Sequence, residues 1–117
     1  MPNHRDLDVL HAADKVADDI NRLIDESPRR LIHVGQLRDS AQSIGANISE
    51  GFGRGKGRER DRSLRVARGE AEETIRHLRA NFETDRIPKS KFWSLRNRLV
   101  TIVKMLTSLL KKSSDDG

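Results

Sequence analysis

Leu64-Arg-Val-Ala67-Arg-Gly-Glu-Ala71-Glu-Glu-Thr-Ile75-Arg-His-Leu78-Arg-Ala-Asn-Phe82 places an apolar side chain every third or fourth residue across nineteen positions. That spacing repeats with the turn of an α-helix and cannot sit on one face of a strand. It predicts an amphipathic helix over roughly residues 58–84. The same pattern recurs downstream in Phe92, Leu95, Leu99, Ile102, Leu106 and Leu109, supplemented by Val103 and Leu110, and predicts a helix over roughly 89–112. Upstream, Leu37, Ala41, Ile44 and Ile48, with Leu31 and Val34 ahead of them, predict one over roughly 29–50. Leu10, Ala13, Ala17, Ile20 and Ile24 predict another over roughly 4–26.

The joints are short. Ser27-Pro28 reads as an N-cap followed by a first-turn proline, and Gly51 as a left-handed C′ glycine with Phe52 folding back on the last turn. Asp85-Arg-Ile-Pro88 separates the last two helices. Gly35 and Gly45 each weaken the second helix by about 1 kcal/mol relative to alanine, a cost that close helix packing would offset. No segment alternates with period two. Long amphipathic helices on short joints lie antiparallel to their neighbours. The expected fold is therefore all-α, an antiparallel up-down-up-down four-helix bundle. A single domain over residues 1–112 with a frayed tail at 113–117 is expected.

Of the 117 residues, 34% are hydrophobic and 35% charged, with three Phe, one Trp and no Tyr. The core must come from Leu, Ile, Val and Ala. So lean a bundle is marginal alone, and self-association is the natural supplement. The absence of cysteine excludes disulfides, thiolate catalysis and cysteine-based zinc sites, and is compatible with a reducing cytoplasm. No run approaches eighteen apolar residues, so no membrane-spanning helix is expected, and the first residues lack the apolar stretch of a secretion signal.

Charge is segregated. Arg54–Arg68 carries seven basic residues against Glu59 and Asp61, an excess equal to the +5 of the whole chain. Residues 1–50 hold six basic residues against nine acids, and residues 69–117 ten against seven, so the two flanks cancel. The basic run begins in a glycine-rich turn, Gly51-Phe-Gly-Arg-Gly-Lys-Gly57. An adaptable backbone with focused positive charge suits a polyanion, and a solvated connector fits the same composition. Arg54, Lys56, Arg58, Arg62 and Arg65 form the candidate nucleic-acid-binding lip. No aromatic residues interleave it, so phosphate contact without sequence preference is expected rather than base stacking.

Residues 36–54 read Gln-Leu-Arg-Asp-Ser-Ala-Gln-Ser-Ile-Gly-Ala-Asn-Ile-Ser-Glu-Gly-Phe-Gly-Arg. This stretch resembles a bacterial four-helix-bundle family named after proteins encoded in intervening sequences of 23S ribosomal RNA genes, which includes accessory proteins of diversity-generating retroelements. The resemblance rests on Gln36-Leu37-Arg38, Ser43-Ile44, Asn47-Ile48-Ser49-Glu50-Gly51 and Gly53-Arg54, with a weaker match at Leu64–Gly69 and Glu73. It implies a four-helix bundle and a ring-like homopentamer. For the retroelement branch it implies nucleic-acid binding and a reverse-transcriptase partner. Four positions depart from the pattern: Arg60 and Ser63 stand where aromatics are common, Glu70 where serine is usual, and Asp39 where a second basic residue is frequent.

Within the motif, Gln36, Arg38, Asn47, Glu50 and Gly51 are expected to be structural. Asn47 is a candidate to bridge helices, and Glu50 to hold Arg38 or Arg54; a ligand role is the less favoured alternative. One carboxylate without a base or metal partner is not a mechanism, so no catalytic residue, metal or cofactor is expected. Gly55-Lys56-Gly57 follows a helix and lacks the Ser/Thr of a phosphate loop. The four histidines are dispersed. Phe92 and Trp93 are adjacent and cannot share a face, so one is free for a subunit contact or for solvent.

Overall fold

The computed structural model describes residues 3–116, with side chains to Lys112. Four helices follow in order: α1 (His4–Glu26), α2 (Val34–Gly53), α3 (Arg58–Glu83) and α4 (Lys89–Asp116). Each packs on its neighbour in sequence, and α1 closes the square against α4, while no diagonal pair of helix backbones comes as close among the described residues. This is the up-down-up-down bundle, in a body of 47 × 21 × 20 Å.

Its core follows a heptad seam. Val9, Ala13, Val16 and Ile20 of α1 are buried in steps of three and four. So are Leu37, Ala41, Ile44, Ile48 and Gly51 of α2, Leu64, Ala67, Ala71, Thr74, Leu78 and Asn81 of α3, and Phe92, Leu95, Leu99, Ile102 and Leu106 of α4. Strict alternation of three and four keeps each seam facing its partners along the bundle. Leu10, Ile24, Ile75 and Phe82, read from sequence as core, are half-buried at its margin. The buried positions beside them are Val9, Val16, Thr74 and Asn81.

α1 has the predicted span because a capping box starts it. Asn3 accepts from the Asp6 amide at 3.0 Å, and the Asp6 carboxylate accepts from the Asn3 amide at 3.2 Å. The start of α2 differs from the expectation. Ser27 closes α1 in extended conformation and does not cap α2, which begins at Val34 after His33 in a left-handed turn (φ 56°). The 27–33 joint is longer than predicted because tertiary contacts hold it open. Leu31 is buried in the core, and the fully buried Asn81 amide grips the Ile32 backbone, accepting from its N–H at 2.7 Å and donating to its C=O at 3.1 Å.

Gly51 also departs from its expected role. It is not a C′ residue, because α2 continues to Gly53. It is buried, and a Cβ there would meet Ser63 Cβ at 3.2 Å, the Arg60 carbonyl oxygen at 3.3 Å and Leu64 Cδ2 at 3.3 Å. Glycine at 51 lets α2 and α3 approach. At Gly45 a Cβ would collide only with the movable end of the exposed Asp14 side chain, and Gly35 has open space around it, so neither is held to glycine by backbone contact as Gly51 is. α4 runs to Asp116, beyond the expected 112. The side chains of the expected frayed tail, 113–117, lie outside the described residues.

Candidate nucleic-acid interface

The α2–α3 corner is built from four residues, 54–57. Arg54 and Gly55 donate backbone hydrogen bonds to Gly51 and Phe52 at 3.2 and 3.3 Å and close the last turn of α2. Gly55 (φ 77°) and Gly57 (φ 119°) take conformations that L-residues rarely adopt, which lets so short a joint reverse the chain. α3 starts at Arg58 with Glu59 and Asp61 in its first turn, where acids complement the helix dipole. Those two acids temper the basic run with which they overlap.

The five lip residues all sit at this corner and all are exposed. Arg58, Arg62 and Arg65 follow steps of four and three on α3, about 10 Å from first to last along the axis. Lys56 projects from the joint. Arg54 is more constrained. Its guanidinium donates to Glu50 at 2.9 Å and lies 3.8 Å from Glu59. The hydrogen bond to Glu50 is the main cause that raises its pKa further, so it stays charged throughout the accessible pH range. Two carboxylates share that one cation, which lowers the potential it presents to a ligand. Arg60, inside the run, is half-buried with its guanidinium 5.7 Å from the centre of the Phe52 ring, tying α3 to the end of α2. Arg68 donates to Thr107 of α4 at 3.3 Å.

The motif residues split. Glu50 holds Arg54, as one of its two expected pairings has it, and Arg38 instead reaches α1, donating to Asn21 at 2.8 Å and Asp25 at 2.7 Å. Asn47 does not bridge helices within the chain: its amide donates to the Ser43 carbonyl and hydroxyl, one turn back on α2. Gln36 is exposed. Apart from Arg38, polar bridges between elements come from residues outside the motif. Thr74 donates to Ser40 at 2.8 Å, Arg98 to Asp19 at 2.8 Å, and Asn81 clasps Ile32. For Thr74 and Asn81 the signal was a heptad position occupied by a polar residue, visible only once the period of three and four is fixed; Arg98 and Asp19 lie beside the seam and carry no such signal.

Among the described residues no three His, Asp or Glu side chains are grouped to hold a metal ion, and no helix is long and apolar enough to cross a membrane. At the far end of the bundle an open cleft of about 390 Å³ lies between α1 and α4, floored by Leu23 and Leu95, with Arg22, Lys91 and Arg98 facing Asp19 and Glu26. Its three cations face two carboxylates, a smaller excess than at the α2–α3 corner.

A crystal structure of a protein of unknown function from the S23 ribosomal protein family, from Bacteroides thetaiotaomicron, superposes with a TM-score of 0.83 at 28% identity, over 92% of this chain and 98% of that one. No curated protein matches the chain. The model of the 23S rRNA-intervening sequence protein family matches residues 5–108, so nearly the whole bundle is accounted for, and the chain belongs to that family.

Proposed function

We propose that this protein is a non-enzymatic, homo-oligomeric, cytoplasmic bundle that binds nucleic acid through Arg54, Lys56, Arg58, Arg62 and Arg65. The observation that carries this reading is that residues 54–68 hold a charge excess equal to that of the whole chain, with Arg54, Lys56, Arg58, Arg62 and Arg65 exposed at one corner, on a glycine joint and the start of the helix that follows it. Cations on such a surface neutralise phosphates and release counterions, which gives salt-sensitive affinity without base preference. Repetition of the corner around a ring of copies, five by family resemblance, raises a weak contact by effective concentration. In this role the protein serves as an accessory to a larger nucleic-acid enzyme, such as a reverse transcriptase.

The test is titration of labelled RNA and DNA, single-stranded and duplex, at two salt concentrations. Wild type is compared with a variant carrying Arg54→Ala, Lys56→Ala, Arg58→Ala and Arg62→Ala, with mass by light scattering alongside. Binding that weakens with salt and is lost in the variant at unchanged mass supports the reading. No binding at low salt retires it, and leaves the same cations to dock an acidic protein on an oligomeric scaffold.

A further inference from the structure

The basic corner does not end at Arg65. At about 100° per residue, Arg58, Arg62, Arg65 and Arg76 fall within about 60° of one another on the side of α3 turned away from the core. Beside this row, two arginines lean over the α3–α4 seam. Arg68 donates to Thr107, and the Arg79 guanidinium lies 5.3 Å from the centre of the Phe92 ring. On the α4 side of that seam stands Trp93. Its neighbour Phe92 fills the core at 0% exposure, while Trp93 is 39% exposed. The indole is turned towards α3, with its ring centre 6.5 Å from Phe82 and 5.2 Å from Phe92, at interplanar angles of 69° and 71°. The Arg96 guanidinium lies 5.6 Å from its centre.

From this arrangement we infer that the α3 face is a track for a single-stranded polynucleotide that ends on Trp93, where a base stacks on the indole. The inference rests on the nucleic-acid reading above and names the form of the ligand. Three features carry it. The track presents exposed cations over its first half, at Arg58, Arg62 and Arg65; farther along, Arg76 is paired with Glu73, Glu72 and Glu83 interrupt the row, and Arg68 and Arg79 flank it, so complementarity to a phosphate backbone is strongest at the glycine-turn end. Its length is set by the helix: the 24 residue steps from Arg58 to Phe82, against which Trp93 packs, rise about 36 Å, an upper limit of about ten nucleotides at the 3.4 Å of a stacked strand and fewer for an unstacked one. At its end is an exposed indole already fixed by two phenylalanines and an arginine, so a base that stacks on it loses little to ordering the side chain. A duplex keeps its bases stacked on one another and offers nothing to an indole; a single strand does.

Trp93 is the chain's single tryptophan, so its emission reports this site and no other. The probes are a 12-mer oligothymidylate, a 12-base-pair DNA duplex and inorganic polyphosphate of matched charge, added to the full-length protein at low salt. The oligothymidylate is expected to quench the indole, and polyphosphate to bind without quenching. In anisotropy titrations with labelled oligothymidylate, Trp93→Ala is expected to weaken binding by about 5- to 150-fold and Trp93→Phe by only a few fold, with affinity for the duplex and for polyphosphate within about twofold of wild type. Salt-sensitive binding of oligothymidylate with silent emission and an unaffected Trp93→Ala variant overturns the inference and leaves the functional reading intact. A fall in mass of Trp93→Ala with unchanged affinity per subunit also overturns it, because the indole is then a contact between copies. If none of the three polyanions binds, the functional reading fails first and the track with it.

Discussion

Removing the Asn81 side chain is expected to cost far more than its single amide suggests. Asn81 is fully buried on the α3 seam and spends its amide on three bonds: it accepts from Ile32 N–H at 2.7 Å, and donates to Ile32 C=O at 3.1 Å and to His77 C=O at 2.8 Å. In Asn81→Ala the His77 carbonyl keeps its place in the helix ladder and loses little. The two Ile32 groups lose their partners, and each orphaned buried group costs about 1–3 kcal/mol. Ile32 is half-buried, so about 1 kcal/mol each is the fitting figure, and the vacated volume adds about 1 kcal/mol more. The sum is about 3 kcal/mol, or roughly 10–18 °C in Tm for a domain of this size. Thr74→Val is the control on the same seam. It removes the bond to Ser40, but the Ser40 hydroxyl still donates to Leu37 C=O at 3.3 Å, so nothing is orphaned and about 0–1 kcal/mol is expected. Urea unfolding followed by far-UV circular dichroism, at one protein concentration, separates the two, with unchanged m-values expected. An Asn81→Ala protein within about 1 kcal/mol of wild type, or no less stable than Thr74→Val, would refute the reasoning that this amide holds the α1–α2 joint.

Other perturbations read other parts of the molecule. Gly53→Ala, in open space on the last turn of α2, is expected to stabilise by up to about 1 kcal/mol, while Gly51→Ala gains the same propensity but presses on the Arg60 carbonyl; equal melting curves for the two would remove the close-packing role of Gly51. Glu50→Gln loosens one of the two carboxylates on Arg54 and is expected to tighten nucleic-acid binding with a steeper salt dependence, measured by anisotropy; weaker binding would mean that Glu50 orients Arg54 for the ligand. The bond from Arg98 holds the Asp19 carboxyl below its ordinary pKa, so the pair stabilises the fold above the unfolded-state pKa and loses that contribution as pH falls through the folded one. Asp19→Asn is therefore expected to lower stability at neutral pH by at most about 1 kcal/mol and to converge with wild type once pH has fallen through the depressed folded-state pKa, seen in urea titrations across pH.

The bundle was legible in the sequence because its information is local and periodic. α1 and α3 begin at the predicted residues, since their starts lie where an apolar row meets a cap or a glycine turn. What failed was long-range. Ser27-Pro28 carries the local chemistry of a helix start, yet Asn81, 49 residues away, and the buried Leu31 fix a different path. Gly51 looks the same in sequence whether it ends a helix or lets two helices touch; only the neighbours Arg60, Ser63 and Leu64 distinguish the cases. On α3, hydrophobicity drew attention to Ile75 and Phe82, whereas the seam runs through Thr74 and Asn81, which counting apolar residues passes over. At the candidate site, the five cations and the Glu50–Arg54 pair at i, i+4 were readable from spacing. The nearness of Trp93 to the arginine-bearing helix was not, because it depends on α4 folding back along α3.

The square in which consecutive helices lie closest, closed by α1 on α4, also governs how the chain reaches its shape. Close contacts between neighbours along the sequence make for low contact order and rapid folding, with one late, distant closure. The α2–α3 pair is joined by the shortest link and shares the most extensive contact, so it is the natural nucleus. Truncation at Leu64 should then slow folding, and truncation at Ile20, whose helix docks last, should chiefly hasten unfolding. On that route the glycine turn bearing Lys56 exists as a formed hairpin before the rest of the bundle has closed around it.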